Sequence, residues 1–87
     1  MGRECLICGR PDWIERHHLF QGSNRKLSEQ YGLVADLCHY CHNEPPDGAH
    51  HNAEVMENLH CYGQALFMLK YRANKDDFRK LFGANYL

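Results

Sequence analysis

Two Cys-x2-Cys pairs in so short a chain constrain its fold more than any other feature: Cys5-Leu6-Ile7-Cys8, followed by Gly9, and Cys38-His39-Tyr40-Cys41. The two-residue spacing makes a tight turn that points both sulfurs at one ion, and two such knuckles supply the four thiolates of a closed zinc site. A chain of 87 residues cannot divide its apolar residues between two stable cores, so it reads as one domain, and at this size a metal staple supplements a small core. Cys5, Cys8, Cys38 and Cys41 are therefore assigned to a structural Zn²⁺, against the alternative that the thiols are merely small buried apolar groups. Five cysteines are an odd number, which suits metal ligands in a reducing, cytoplasmic setting better than disulfides.

Cys8 and Cys38 are 29 residues apart in the intervening chain, more than the roughly 15–20 of simple zinc ribbons, so an element is inserted between the half-sites. Arg10-Pro11-Asp12 reads as a turn, 13–20 as a strand rich in aromatic and β-branched residues, and 21–26 as a polar loop. One helical turn over 27–31 ends at Gly32, and 33–37 forms a second strand antiparallel to the first across an unusually long connection. Pro45-Pro46 and Asp47-Gly48 then break regular structure. From 53 to 71 the spacing of Val55, Leu59, Tyr62, Leu66 and Leu69 predicts a helix with Asn52 as its cap. A last short helix is capped by Asn74, turns Phe78, Leu81 and Phe82 inward, and ends at Gly83. His60 and Cys61 fall outside the long helix's apolar face and read as a solvated imidazole and a free thiol.

Membrane readings are set aside, because no apolar run approaches the ~20 residues of a spanning helix. The Met1-Gly2 start has Leu6 where a myristoylation signal requires Ser or Thr, and no apolar stretch there resembles a signal peptide. Ten Lys and Arg nearly balance eleven Asp and Glu, so a nucleic-acid partner would be held by a local basic cluster and bound metal rather than by a general positive field.

Seven histidines are the other outlier. Zinc held by four thiolates has no open position, whereas His17-His18, His42 and His50-His51 lie outside that closed set and can build a second, open site. The bland alternative is that these are ordinary amphipathic surface residues.

Cys-x2-Cys, a strand ending Arg16-His17-His18-Leu19-Phe20, then Leu37-Cys38-x2-Cys41-His42 and a further His resemble the HNH (His-Me finger, ββα-metal) endonucleases that carry an accessory zinc site. The likeness covers residues 4–52, which would hold the knuckles and the ββα-metal core; 53–87, the helical C-terminal part, is similar to small HNH-like proteins of phages and prophages. The resemblance implies an α+β fold, a zinc-stapled ββα-metal domain with C-terminal helices, in a phage- or prophage-encoded protein of the bacterial cytoplasm. It implies hydrolysis of DNA phosphodiesters, with His18 as general base and His17 and His42 as ligands of a catalytic divalent metal (Mg²⁺, Mn²⁺, Ni²⁺ or Zn²⁺). His50, chosen over His51, would be the additional ligand. The family's middle Asn falls near Gly32 or Leu33 here, leaving Asn24 or Asn43 as substitutes.

The chemistry suits those residue types independently. A neutral imidazole with a pKa of about 6.5 can deprotonate water near pH 7, and a divalent ion stabilises charge on the leaving oxygen. Asn24, Arg25 and Lys26 are the expected DNA contacts, a guanidinium being suited to clamp phosphate. Adjacent strand residues face opposite ways, so His17 and His18 can share a site only where the strand ends. The expectation is thus a metal-dependent DNA endonuclease or nickase that gains DNA affinity from a homodimer or larger complex. The alternative is a noncatalytic zinc-binding nucleic-acid or protein adaptor with the same fold.

Overall fold

The ladder that organises the molecule joins β1 (Ile14–His18) to β2 (Val34–Cys38), antiparallel, with Ile14 opposite Cys38 and His18 opposite Val34. The computed structural model describes residues 3–87; Met1 and Gly2, where a myristoylation signal would begin, lie outside them. Around the two-stranded sheet run α1 (Arg25–Gln30), α2 (His39–Asn43), α3 (Ala53–Tyr71) and α4 (Lys75–Phe82), with 3-10 turns at Gly22–Asn24 and Ala49–His51. The chain is a small α+β domain. Among the described residues no helix is long and apolar enough to cross a membrane.

β1 is shorter at both ends than the expected strand over 13–20. Trp13 takes a left-handed conformation, φ 53°, which turns the chain before the ladder starts. After His18, Leu19 N–H still donates to Leu33 O at 3.0 Å, but Phe20 leaves the sheet. Its N–H donates to Ser28 Oγ at 2.9 Å, and Ser28 Oγ–H donates to Phe20 O at 3.1 Å. Ser28 is fully buried, and this reciprocal pair satisfies both groups as burial demands. The polar stretch 21–26 is not wholly a loop: the 3-10 turn runs directly into α1, so Arg25 and Lys26 sit on its first turn.

α3 starts where the sequence places it, with Asn52 Oδ1 accepting from Glu54 N–H and Val55 N–H. Its buried face is rotated from the expected one: Leu59, Gly63, Gln64 and Phe67 are inside, while Leu69 is 81% exposed and Tyr62 is exposed. Gly63 is the reason. A Cβ there would lie 2.9 Å from the Phe20 ring and 3.1 Å from Leu19 Cβ, so only this bare position lets the helix press onto the end of β1. α4 carries the expected Asn74 cap, completed by Asp77 as a capping box. Phe78 and Phe82 turn inward and stack at 4.4 Å, whereas Leu81, also expected inside, is exposed; the two rings already fill the face. Phe20 lies 5.3 Å from Phe78 and 4.9 Å from Phe82, at the centre of a core in which each fully buried large side chain contributes roughly 1.5–3 kcal/mol.

Candidate metal centre

Both knuckles are shaped by the backbone before any ion is considered. In the first, Cys5 N–H donates to Arg10 O and Gly9 N–H to Cys5 O, each at 2.9 Å, while Leu6 N–H reaches Asp36 O at 2.8 Å and fixes the loop to β2. The second knuckle is the junction of β2 and α2: Cys38 ends the strand in extended conformation and immediately precedes the helix that carries Cys41. The four sulfurs lie within 4.8 Å of one another. Cys8 Sγ and Cys38 Sγ are 3.6 Å apart, too far for a disulfide and close to the edge of about 3.8 Å expected for a tetrahedron with zinc–sulfur bonds of ~2.3 Å. Burial pushes the Cys5 thiol up, but N–H groups of Cys38, Cys8 and Ile7 outweigh it and bring Cys5 to about 6. Burial and the neighbouring thiols push Cys41 up. A readily ionised Cys5 thiol beside a reluctant Cys41 is a pairing that a divalent cation would complete.

A second cluster is built from three elements. His17 on β1, His42 on α2 and His50 on the 3-10 turn each offer one ring nitrogen, all within 4.8 Å. Gly48 brings His50 there: its N–H donates to Glu44 O at 2.7 Å, and a Cβ at this position would strike the Glu44 backbone at 2.6 Å. The chain thus doubles back past Pro45-Pro46, and His50, not His51, faces His42, with Nε2 atoms 3.0 Å apart. Glu15 Oε1 lies 2.8 Å from His42 Nδ1. A carboxylate only accepts, so Nδ1 donates and the His42 Nε2 lone pair points into the cluster. His17 is 1% exposed, and its Nε2 is buried with no hydrogen-bond partner. Burial, then His42 and His50, lowers His17 to about 4, which keeps it neutral. An orphaned buried nitrogen facing two more imidazoles fits a cation ligand set better than a packed core.

His18 faces away from Glu15 and His17 by strand alternation. Its Nε2 lies 2.8 Å from Glu29 Oε2, and Arg16 Nη2 lies 3.0 Å from Glu29 Oε1. His18 therefore donates from Nε2 and keeps Nδ1 as its basic nitrogen. Contact with His18, then with Arg16, lowers the Glu29 carboxyl. Because β1 ends at His18, the two adjacent histidines nevertheless border one cavity of 190 Å³, together with His42, His50, Arg16, Gln21 and Arg25. A wider, open hollow of 580 Å³ adjoins it, lined by Arg16, His18, Arg25, Lys26 and Glu29. Arg25 and Lys26 thus face the cavities, while Asn24 Nδ2 donates to Phe82 O at 2.8 Å and ties the turn to α4. Asn43 is exposed at the end of α2.

Sequence reading missed Glu15, Glu29 and Gln21. Glu15 was within reach of it, since two residues before His17 on a strand is the same face. Glu29 arrives from α1 through a turn that no local pattern specifies. His60 and Cys61 are not simply solvated: His60 is half-buried and stacks on Phe20, and Cys61 Sγ donates to Tyr86 O. The tail 84–87 folds back over that face of α3 and covers them. His39, inside the second knuckle, lies 3.1 Å from Glu15 Oε2 and from Glu44 Oε2 and stacks on Trp13 at 4.4 Å.

No family model, no curated protein and no solved structure matches the chain.

Proposed function

We propose that the protein is a metal-dependent DNA endonuclease or nickase of the HNH, ββα-metal type. The observation that carries the reading is the orphaned Nε2 of His17, converging with His42 and His50 on one side of a cavity whose other side holds His18 backed by Glu29. The order β1, β2, α2, with His17 on the first strand and His42 on the helix, supports the ββα-metal core. Cys5, Cys8, Cys38 and Cys41 would hold a structural zinc beneath it. His17, His42 and His50 would hold the second divalent ion, three protein ligands leaving positions for water and phosphate. That ion, when bound, supplies charge stabilisation at the leaving oxygen.

The chain's own residues do the rest. Glu29 orients His18 through Nε2–H, and Nδ1 accepts the proton of the attacking water. Arg16, Arg25 and Lys26 present positive charge to the phosphodiester backbone at the cavity rim. Glu15 keeps the His42 tautomer that directs its lone pair to the cluster. DNA is the substrate class, with affinity supplemented by a homodimer or a larger complex in a phage- or prophage-infected cytoplasm. A noncatalytic adaptor is the second reading, favoured by the net charge of −1.

The test is nicking of supercoiled plasmid by zinc-loaded protein with Mg²⁺, Mn²⁺, Ni²⁺ or Zn²⁺ added in turn, beside His18→Ala. Metal-dependent nicking that disappears in the folded variant supports the nuclease. Failure with every metal, from a folded protein, selects the adaptor.

A further inference from the structure

The end of β1 is held from behind by a chain of side chains that the proposed reaction does not use. Gln21 Nε2 donates to the main-chain carbonyl of His18, and Gln21 Oε1 lies 3.1 Å from His60 Nε2. A carbonyl oxygen only accepts, so Gln21 must turn its NH2 toward His18 and its oxygen toward His60. His60 must then donate from Nε2. Its ring is fixed between Phe20, at 5.5 Å and nearly parallel, and Tyr86, at 4.7 Å. Tyr86 is itself anchored, its N–H donating to the oxygen of the buried Gln64 amide at 2.6 Å. Burial lowers His60, which favours a neutral ring with a single donor.

His18 is the last residue of the strand, opposite Val34, and its carbonyl lies at the point where the chain leaves the sheet. Glu29 holds the tip of the His18 ring; the peptide after His18 is held on its N–H side by Leu19 N–H donating to Leu33 O at 3.0 Å and on its carbonyl side by Gln21. Gln21 borders the same 190 Å³ cavity as His17 and His18, so the amide sits beside the site and is tied to α3 and the tail on its far side.

We infer that Gln21, held by His60, is a positioning residue that fixes the strand-end peptide and so aims His18 into the cavity. This rests on the nuclease reading and deepens it. It assigns to Gln21 the restraint that neither Asn24, committed to Phe82, nor exposed Asn43 supplies. It also makes the C-terminal segment, through Tyr86, part of the support of the site.

The experiment uses the full chain with both metals, comparing Gln21→Ala and His60→Phe alone and combined. His60→Phe keeps a flat ring between Phe20 and Tyr86 and removes only the donor. Each single variant is expected to lower kcat 10- to 100-fold, as misplacement of a reacting group by about 1 Å does, with KM and metal affinity unchanged. The double variant should cost no more than Gln21→Ala alone, because His60 acts through Gln21. An unchanged kcat in the single variants, or losses that multiply in the double variant, overturns the proposal. The His18 ring NMR signals at one pH provide the second readout: both single variants should shift them and leave those of His39 in place. A wild-type protein that cleaves nothing overturns the nuclease reading, while unmoved His18 signals overturn the positioning itself.

Discussion

Glu15 Oε1 lies 2.8 Å from His42 Nδ1, so a strand residue decides which nitrogen of a helix residue faces the histidine cluster. The same carboxylate reaches His39 Nδ1 at 3.1 Å with its other oxygen. Contact with His42, then opposition from burial and help from His39, leaves the Glu15 carboxyl lowered, and it is ionised at neutral pH. One side chain thereby joins His39, between the two cysteines of the second knuckle, to the histidine cluster beside it.

Glu15→Gln should therefore weaken divalent-metal binding at His17, His42 and His50 by 10- to 100-fold, the usual effect of losing a partner that orients a ligating imidazole. The thiolate site should be untouched. Co²⁺ titration separates the two, because thiolate-to-cobalt charge-transfer bands report only the cysteines. Unchanged affinity at the weaker site would remove Glu15 from its support.

Strong chelation, or Cys38→Ser, should unfold the domain. Cys38 is fully buried at the junction of β2 and α2, and closed thiolate sites contribute folding free energy outright. Circular dichroism before and after chelation, with zinc added back, is the check; native spectra in the stripped protein would make the four cysteines packing residues only.

Gly63→Ala should destabilise by about 1–2 kcal/mol, although alanine is the better helix former by about 1 kcal/mol. The new Cβ would meet the Phe20 ring at 2.9 Å, and that ring, 1% exposed, has no room to retreat. Urea unfolding midpoints measure it, and a gain in stability would show that α3 can lift off β1 without cost.

The knuckles, the caps at Asn52 and Asn74 and the order of the two strands and the two C-terminal helices were legible because each rests on local chemistry: a spacing, a side-chain oxygen, a period; α2, over His39–Asn43, has no such local mark. The faces of α3 and α4 were not. Hydrophobicity ranked Leu69 and Leu81 as core, but shape selected Gly63 and a pair of stacked phenylalanines, and shape depends on partners distant in sequence. The same holds at the site. His17, His42 and His50 announced themselves by residue type, whereas Glu29 and Gln21 became interpretable only once α1 and α3 were placed against the end of β1.

Acid should destabilise the wild type more than His60→Phe. Burial lowers His60 in the folded chain below its ordinary 6.5, so in mildly acidic solution the unfolded chain binds a proton that the folded one refuses. Stability is therefore retained above about pH 6.5 and falls as the pH drops from there toward the lower folded value. Urea unfolding of the zinc-loaded proteins at pH 7.5 and 5.5 should show the larger loss in the wild type. Equal losses would mean that His60 takes up its proton without leaving its place between Phe20 and Tyr86.

Glu29→Gln tests the carboxylate behind the proposed base. The amide can still accept from His18 Nε2–H through its oxygen, so the ring should stay in place, but the negative charge that stabilises the imidazolium formed after proton transfer is gone. Arg16, 3.0 Å from the other carboxylate oxygen, also loses its counter-charge and is released toward the cavity. The expected result is a 10- to 100-fold fall in kcat, a partial loss of the 10²–10⁴-fold typical of general-base catalysis, with KM for plasmid held or lowered by the freed guanidinium. Single-turnover nicking at saturating metal separates the two effects. A raised KM with kcat intact would instead place Glu29 and Arg16 in DNA binding, and leave His18 to be oriented from its main chain alone.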